Sequence, residues 1–508
     1  MERLQPVSIR CIGGLDLTQD TYLTNPGGAV ALQNFEPNIH GGYRRISGYD
    51  KYSSTIVPGQ GSVLGVAVFG GNVIAVRRIA ASSNMGWYTS SGGAWSAAIN
   101  TTAHTYTTDK VRFAKYNWNG TNKIVFVDGV NNAATWDGTT WTEINDADRP
   151  VAPKYVAEYK NHIFYAGYTG NAGAIKWCEP NTENDFDVAD GAGELVVGDL
   201  VKGLKVWRDQ LIIFCKSSIF RLVGSTDFDF QVIPITRRTG CIHPDSIQEA
   251  NGDIIYLSQD GFRNIAGTDR IGDFELGSIS RKINKRIINE LTHENVSSLV
   301  IPSKNQYRAF FPTSAGSATA AQGILGAVRA GEQGAVDWEW ADLAGIKAYC
   351  ADTDYINTTE TIVHGGYDGY VYEQEQGITF DGTAIEALYA TPHMEFGDAG
   401  RRKFVHRITT LMQREGLSSV GLTLRYDFDS NDVIQPASYT LMGNNTIVVY
   451  GTALYGTDAY GSAEESSNRQ PVSGSGFFAQ VRYTSTATTD YAYSIEGIII
   501  EAQLGGRR

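Results

Sequence analysis

The chain has 508 residues, 42% of them hydrophobic, with 56 Gly, 27 Tyr and only 14 Pro. This mixture suits many short strands joined by tight turns and excludes both a disordered chain and an architecture of long helices. Acidic residues outnumber basic ones, 55 against 42, for a formal charge of −13; a field of that sign repels phosphate and excludes a general nucleic-acid clamp.

Two or three domains fit in this length. Cys11, Cys178, Cys215, Cys241 and Cys350 are odd in number, scattered and without a Cys-x-x-Cys pair, the pattern of reduced, buried thiols. No basic segment followed by an apolar core opens the chain, and no apolar run approaches the ~18 residues of a membrane helix. The sequence therefore predicts a protein made soluble in a cytoplasm, without a membrane anchor.

Residues 1–60 are Gly-rich and aperiodic, passing through Gly13-Gly14-Leu15-Asp16-Leu17, Asn25-Pro26-Gly27-Gly28 and Tyr43-Arg44-Arg45-Ile46-Ser47-Gly48. They read as an extended lead-in that docks on another domain, adding a strand to the C-terminal one. Residues 61–390 repeat a hairpin. Its template pairs 204–207 with 210–215 across Arg208-Asp209, adds a strand at 218–223, and pairs 246–250 with 254–257 across Asn251-Gly252-Asp253, where Asn-Gly supplies the positive φ of a tight turn. Comparable turns fall at Gly71-Asn72, Thr121-Asn122, Asn161-His162 and Asn305-Gln306. Their spacing of roughly 40 to 55 residues is that of propeller blades. A polar, Gly-bearing turn between aromatics also recurs, from Trp87 to Trp95 and from Trp136 to Trp141.

One helix is predicted, over 280–291: Ile283, Ile287, Ile288 and Leu291 share a face, Ser280 can cap the start, and Lys282, Lys285 and Arg286 form the solvated side. Residues 391–508 change to longer alternating runs at 404–412, 420–428, 438–449, 477–483 and 491–504, as in a β-sandwich. The expected fold is all-β: a propeller of six to eight irregular blades plus a C-terminal sandwich-like domain, with one short helix. Within the latter, the Gly-rich loop bearing Tyr450, Tyr455 and Tyr460 is contact material, since Tyr joins a large area to a polar end. Arg401, Arg402 and Lys403, at the entry to that domain, are the other candidates for contacts with a neighbouring subunit or an adaptor.

The sequence contains no phosphate-binding Gly-x-x-x-x-Gly-Lys-Ser/Thr, no Gly-x-Gly-x-x-Gly after a strand, no His-Glu-x-x-His and no Gly-x-Ser-x-Gly. Asp427 to Asp432 resembles the start of a calcium loop but has Asp432 and Ser438 where that loop needs Gly and Glu. The expectation is no catalytic residues, no metal, no cofactor and no enzymatic activity. The rival is a glycan-binding or glycan-cleaving propeller, with acids beside aromatics at Glu339 and Asp342, or at Glu179, Asp185 and Asp187, as candidates.

A resemblance adds to this. Ile175-Lys176-Trp177-Cys178-Glu179-Pro180 with Asn184-Asp185-Phe186-Asp187, then Val201-Lys202-Gly203-Leu204, Leu211 to Phe220, Thr239-Gly240-Cys241, Leu257 to Gly261, and Tyr43 to Gly48 resemble the tail hub or nozzle proteins of short-tailed bacteriophages, the tail tubular and packaged-DNA stabilisation proteins. The likeness takes in about two thirds of the chain; Cys178 stands where that family more often has Ser. It implies a homohexameric tube in the virion tail, below an adaptor or head-to-tail connector. Tail fibre, tailspike or needle proteins would be further partners, and genomic DNA would pass through the lumen without specific binding. The acidic balance fits a lumen of Asp, Glu and neutral polar residues, with Arg and Lys facing subunit interfaces.

Overall fold

The computed structural model describes residues 5–20, 23–38, 41–266, 278–291, 295–312, 321–330, 336–396, 399–442 and 464–507. The Asn251-Gly252 turn forms as its residues dictate, with φ of 55° and 72°, and folds Gln248–Ala250 antiparallel onto Asp253–Ser258. Units of this kind build a β-propeller. Six sheets stand as separate blades, four of them four-stranded meanders running from Gln60 to Thr105, Arg112 to Glu143, Tyr155 to Val196 and Val201 to Thr236. The fifth is the three-stranded Gln248–Ala250, Asp253–Ser258 and Gly261–Asn264.

A further sector of the ring, between this blade and the last, is filled by the meander Ser297–Ile301, Gln306–Pro312, Ala321–Ala330 and Val336–Ala344. Its outer strand continues, through Ala31–Gln33 of the lead-in, into a sheet of the C-terminal domain. The last blade, Cys350–Ile356, Thr359–Gly365 and Val371–Gln374, takes its next strand from the lead-in as well: Tyr49–Lys51 pairs antiparallel with Val371–Gln374.

The lead-in thus holds three places at once. Besides these two, Gln5–Arg10 and Tyr43–Arg45 both pair antiparallel with Tyr493–Arg507. Gly48 passes so close to Thr379 that a Cβ would lie 1.9 Å from its carbonyl oxygen, so only glycine fits there. Beyond residue 390, one sheet sets Arg401–Arg414 between Tyr493–Arg507 and Glu464–Pro471. The other contains Ala387–Ala390, Ala479–Ser485, Ser419–Tyr426 and Tyr439–Met442. Ile408, Ile498 and Ile500 of the first pack with Leu422, Leu424, Val481 and Tyr483 of the second in a core that also contains Phe35 and Tyr43 of the lead-in and Phe262 and Trp340 of the propeller.

The helix is shorter than predicted. A 3-10 turn, Arg281–Ile283, leads into Asn284–Asn289; Ile283 and Ile287 are buried but Ile288 is 45% exposed, because a helix this short buries one narrow stripe. Ser280 makes no cap bond to the helix; its Oγ accepts from Phe262 N and donates to Asn284 Oδ1. All five cysteines are buried and free, and burial pushes each thiol up to about 12. No helix among the described residues is long and apolar enough to cross a membrane.

Candidate functional site

The inner strands of the blades converge on a central cavity of about 670 Å3, lined from Val66 in the first blade round to Thr353 in the last. Charges placed there are costly unless paired, and most are paired across blades. Arg112 donates Nε and Nη2 to Asp245 Oδ1 and Oδ2 at 2.8 and 2.9 Å, a bidentate geometry, and its guanidinium lies 5.3 Å from the Tyr155 ring centre. Lys110 Nζ is 3.6 Å from the same carboxylate and donates to the Val296 carbonyl. Burial favours the neutral acid at Asp245, but Arg112 and Lys110 outweigh it and hold its carboxyl well below the usual range.

A second charged group contains Lys115, whose ammonium bridges Asp352 and Asp354 at 3.0 and 2.6 Å, while Val68 N donates to Asp352 Oδ2 at 2.8 Å. Here burial wins over Lys115, and the Asp352 carboxyl is raised. Lys205 and Glu249 also line the cavity. Burial lowers the Lys205 amine, with Glu249 and Asp352 acting in the opposite sense.

A buried network outside the cavity locks the lead-in. Glu36 accepts from Lys304 Nζ, Arg44 Nη1 and Gln306 Nε2 at 2.8, 2.8 and 3.0 Å. Arg308 and Lys304 then reach Glu375 of the last blade, and together they hold its carboxyl down at about 2 despite burial. Arg308 also donates to Gln374, which meets His364 Nδ1 at 3.2 Å; burial and the nearby Arg308 hold that imidazole down at about 3.

The contact candidates fall elsewhere. Arg401 donates to the Gly505 carbonyl at 2.8 Å and Arg402 to Ser475 Oγ at 2.9 Å. Lys403 is 1% exposed and donates to the Phe477 carbonyl at 3.0 Å. A buried ammonium satisfied within its own domain is no surface contact, so Lys403 is corrected on that point. Tyr450, Tyr455 and Tyr460 lie outside the described residues.

The rival's acids are not in the cavity either. Glu339 is buried on Val336–Ala344, accepting from Gly13 N, and Asp342 pairs with Arg286 at 3.1 Å. Asp187 caps the 3-10 turn Val188–Asp190. In the calcium-like run, Asp427 accepts from Phe477 N and Phe478 N and Asp429 pairs with Arg482. Among the described residues no group of three His, Cys, Asp or Glu could hold a metal. What the sequence reading missed is the set Lys110, Arg112, Lys115, Lys205, Asp245 and Asp352. Its signal is a charged residue on or beside the first strand of successive hairpins, where apolar residues dominate.

No family model and no curated protein matches the chain. Among solved structures it is similar to Raptor from Chaetomium thermophilum, at 8% identity and TM-score 0.39 over 65% of this chain. It spans only 29% of that protein. It is also similar to a glycoside hydrolase family 43 arabinoxylan arabinofuranohydrolase from Bacillus subtilis, at 10% identity and TM-score 0.27, covering 90% of this chain and 98% of that one. An exo-β-1,3-galactanase from Phanerochaete chrysosporium gives 10% identity and TM-score 0.26, over 90% of this chain and 100% of that one. At such identities these likenesses concern the fold alone. The expectation of no enzymatic activity is not kept.

Proposed function

We propose that the chain is a structural component of a short phage tail, a hub or nozzle subunit that assembles into a hexameric conduit in the virion. The observation that carries this reading is the use made of charge at the propeller centre: Asp245 and Asp352 are each engaged by cations of other blades, Arg112 with Lys110 and Lys115 respectively. Paired in this way, buried ions fix the arrangement of the blades. The residues of the resemblance serve the same end. Trp177 donates to the Gly191 carbonyl at 3.1 Å and packs on Phe164 and Phe230. Arg45, fully buried, donates to the Asp490 carbonyl at 2.8 Å and so joins lead-in to sandwich. With a formal charge of −13, a tube of such subunits favours sliding of DNA over gripping it.

A second reading, a glycan-cleaving propeller, is favoured by the same cavity, which is about 670 Å3 in volume and lined by the carboxylates of Asp245, Glu249 and Asp352. Light scattering on the purified chain separates the two. Assembly into rings supports the conduit; a monomer that depolymerises polysaccharide, with Asp352→Asn abolishing the cleavage while its unfolding stays cooperative, supports the hydrolase.

A further inference from the structure

Lys205 and Glu249 sit on the inner strands of adjacent blades and both line the central cavity. Among the described residues neither side chain has a hydrogen-bond or ion-pair partner, whereas Lys110, Arg112 and Lys115 are all paired. The two feel each other electrostatically without closing into a pair. An ammonium and a solvent-exposed carboxylate left open on adjacent blades of the cavity wall are complementary to a ligand that carries both an anionic group and hydroxyl donors.

We propose that the central cavity binds a carboxylate-bearing sugar, its carboxylate paired with Lys205 and its hydroxyls accepted by Glu249 and Asp352. The volume of about 670 Å3 lies within the range of small-molecule sites and accommodates one or two sugar rings. The exposure of Glu249 connects the cavity to solvent. Gln248 and Thr353 add neutral polar groups to the wall. A compact dianion such as phosphate fits less well, since Glu249 and Asp352 repel charge that is not held at Lys205 alone. The site goes beyond both readings of function: it requires neither assembly nor cleavage.

The test is calorimetric titration of the full chain with D-glucuronate, D-glucose and inorganic phosphate. Glucuronate should bind at least about tenfold more tightly than either of the others. Lys205→Met should weaken glucuronate by about tenfold or more, and Lys205→Arg by no more than about threefold, because a cation of similar reach is retained. Glu249→Gln should reduce the preference for glucuronate over acetate, which lacks the hydroxyls, and serves as the second variant if Lys205→Met fails to fold. Equal affinity in Lys205→Met, phosphate binding as tightly as glucuronate, or no glucuronate binding at all would overturn the proposal. Absence of polysaccharide cleavage, or of ring assembly, would leave it standing.

Discussion

Asp245 receives Arg112 through two hydrogen bonds and has Lys110 3.6 Å away, so its loss leaves Lys110 without its ion-pair partner and Arg112 with only the longer contact to Asp109 at 3.4 Å. Asp245→Asn is expected to destabilise the fold by about 3 to 5 kcal/mol, and an apolar replacement of both Arg112 and Asp245 by much less; urea unfolding of the variants and the double mutant checks this. Asp245 and Glu375 have carboxyls held below the usual range. Their contribution is fully present above the unfolded values near pH ~4 and is lost as pH falls through the native ones. Asp342 has the opposite sign: burial raises it to about 6, so the native state binds the extra proton and this group's contribution declines as pH rises from ~4 to ~6. Wild-type stability measured across that interval should therefore fall by about 2 kcal/mol relative to Asp342→Asn, a difference that a pH series of melting curves detects.

Among the elements, those governed by local chemistry were legible in the sequence. Asn251-Gly252 forced a hairpin, and the alternating run at 420–428 became Ser419–Tyr426. Elements defined by distant partners were not. Glu464–Pro471 has no alternating apolar pattern and becomes a strand only because Arg401–Arg414 offers it an edge. The closure of the last blade by Tyr49–Lys51 joins segments more than 300 residues apart, Tyr49 opposite Gln374. The cavity was hidden for the same reason, since Arg112 and Asp245 are unremarkable until the ring brings them together. The lead-in strands supply a further strand to the last blade, pair with Tyr493–Arg507 in one sandwich sheet and join the other to the propeller meander. Deleting residues 1–52 should therefore abolish cooperative unfolding, whereas deleting 1–10, which removes one strand of an existing sheet, should lower the melting temperature and keep a single transition. Differential scanning calorimetry distinguishes the two outcomes.

At the scale of the whole molecule, the lead-in ties blade to blade and propeller to sandwich, and ion pairs between blades fix the ring. The tail-conduit proposal draws on this rigidity; the carboxylates that line the cavity keep the glycan reading beside it. Copies of such a module can build a tube only through a closed rotational arrangement. The most direct measurement is electron-microscopic class averaging of the purified full-length chain at assembly concentration, with particle mass from light scattering. The account predicts sixfold rings with an open centre and a mass six times the 55.3 kDa of one chain. Single particles at every concentration, combined with release of sugar from polysaccharide, would contradict it.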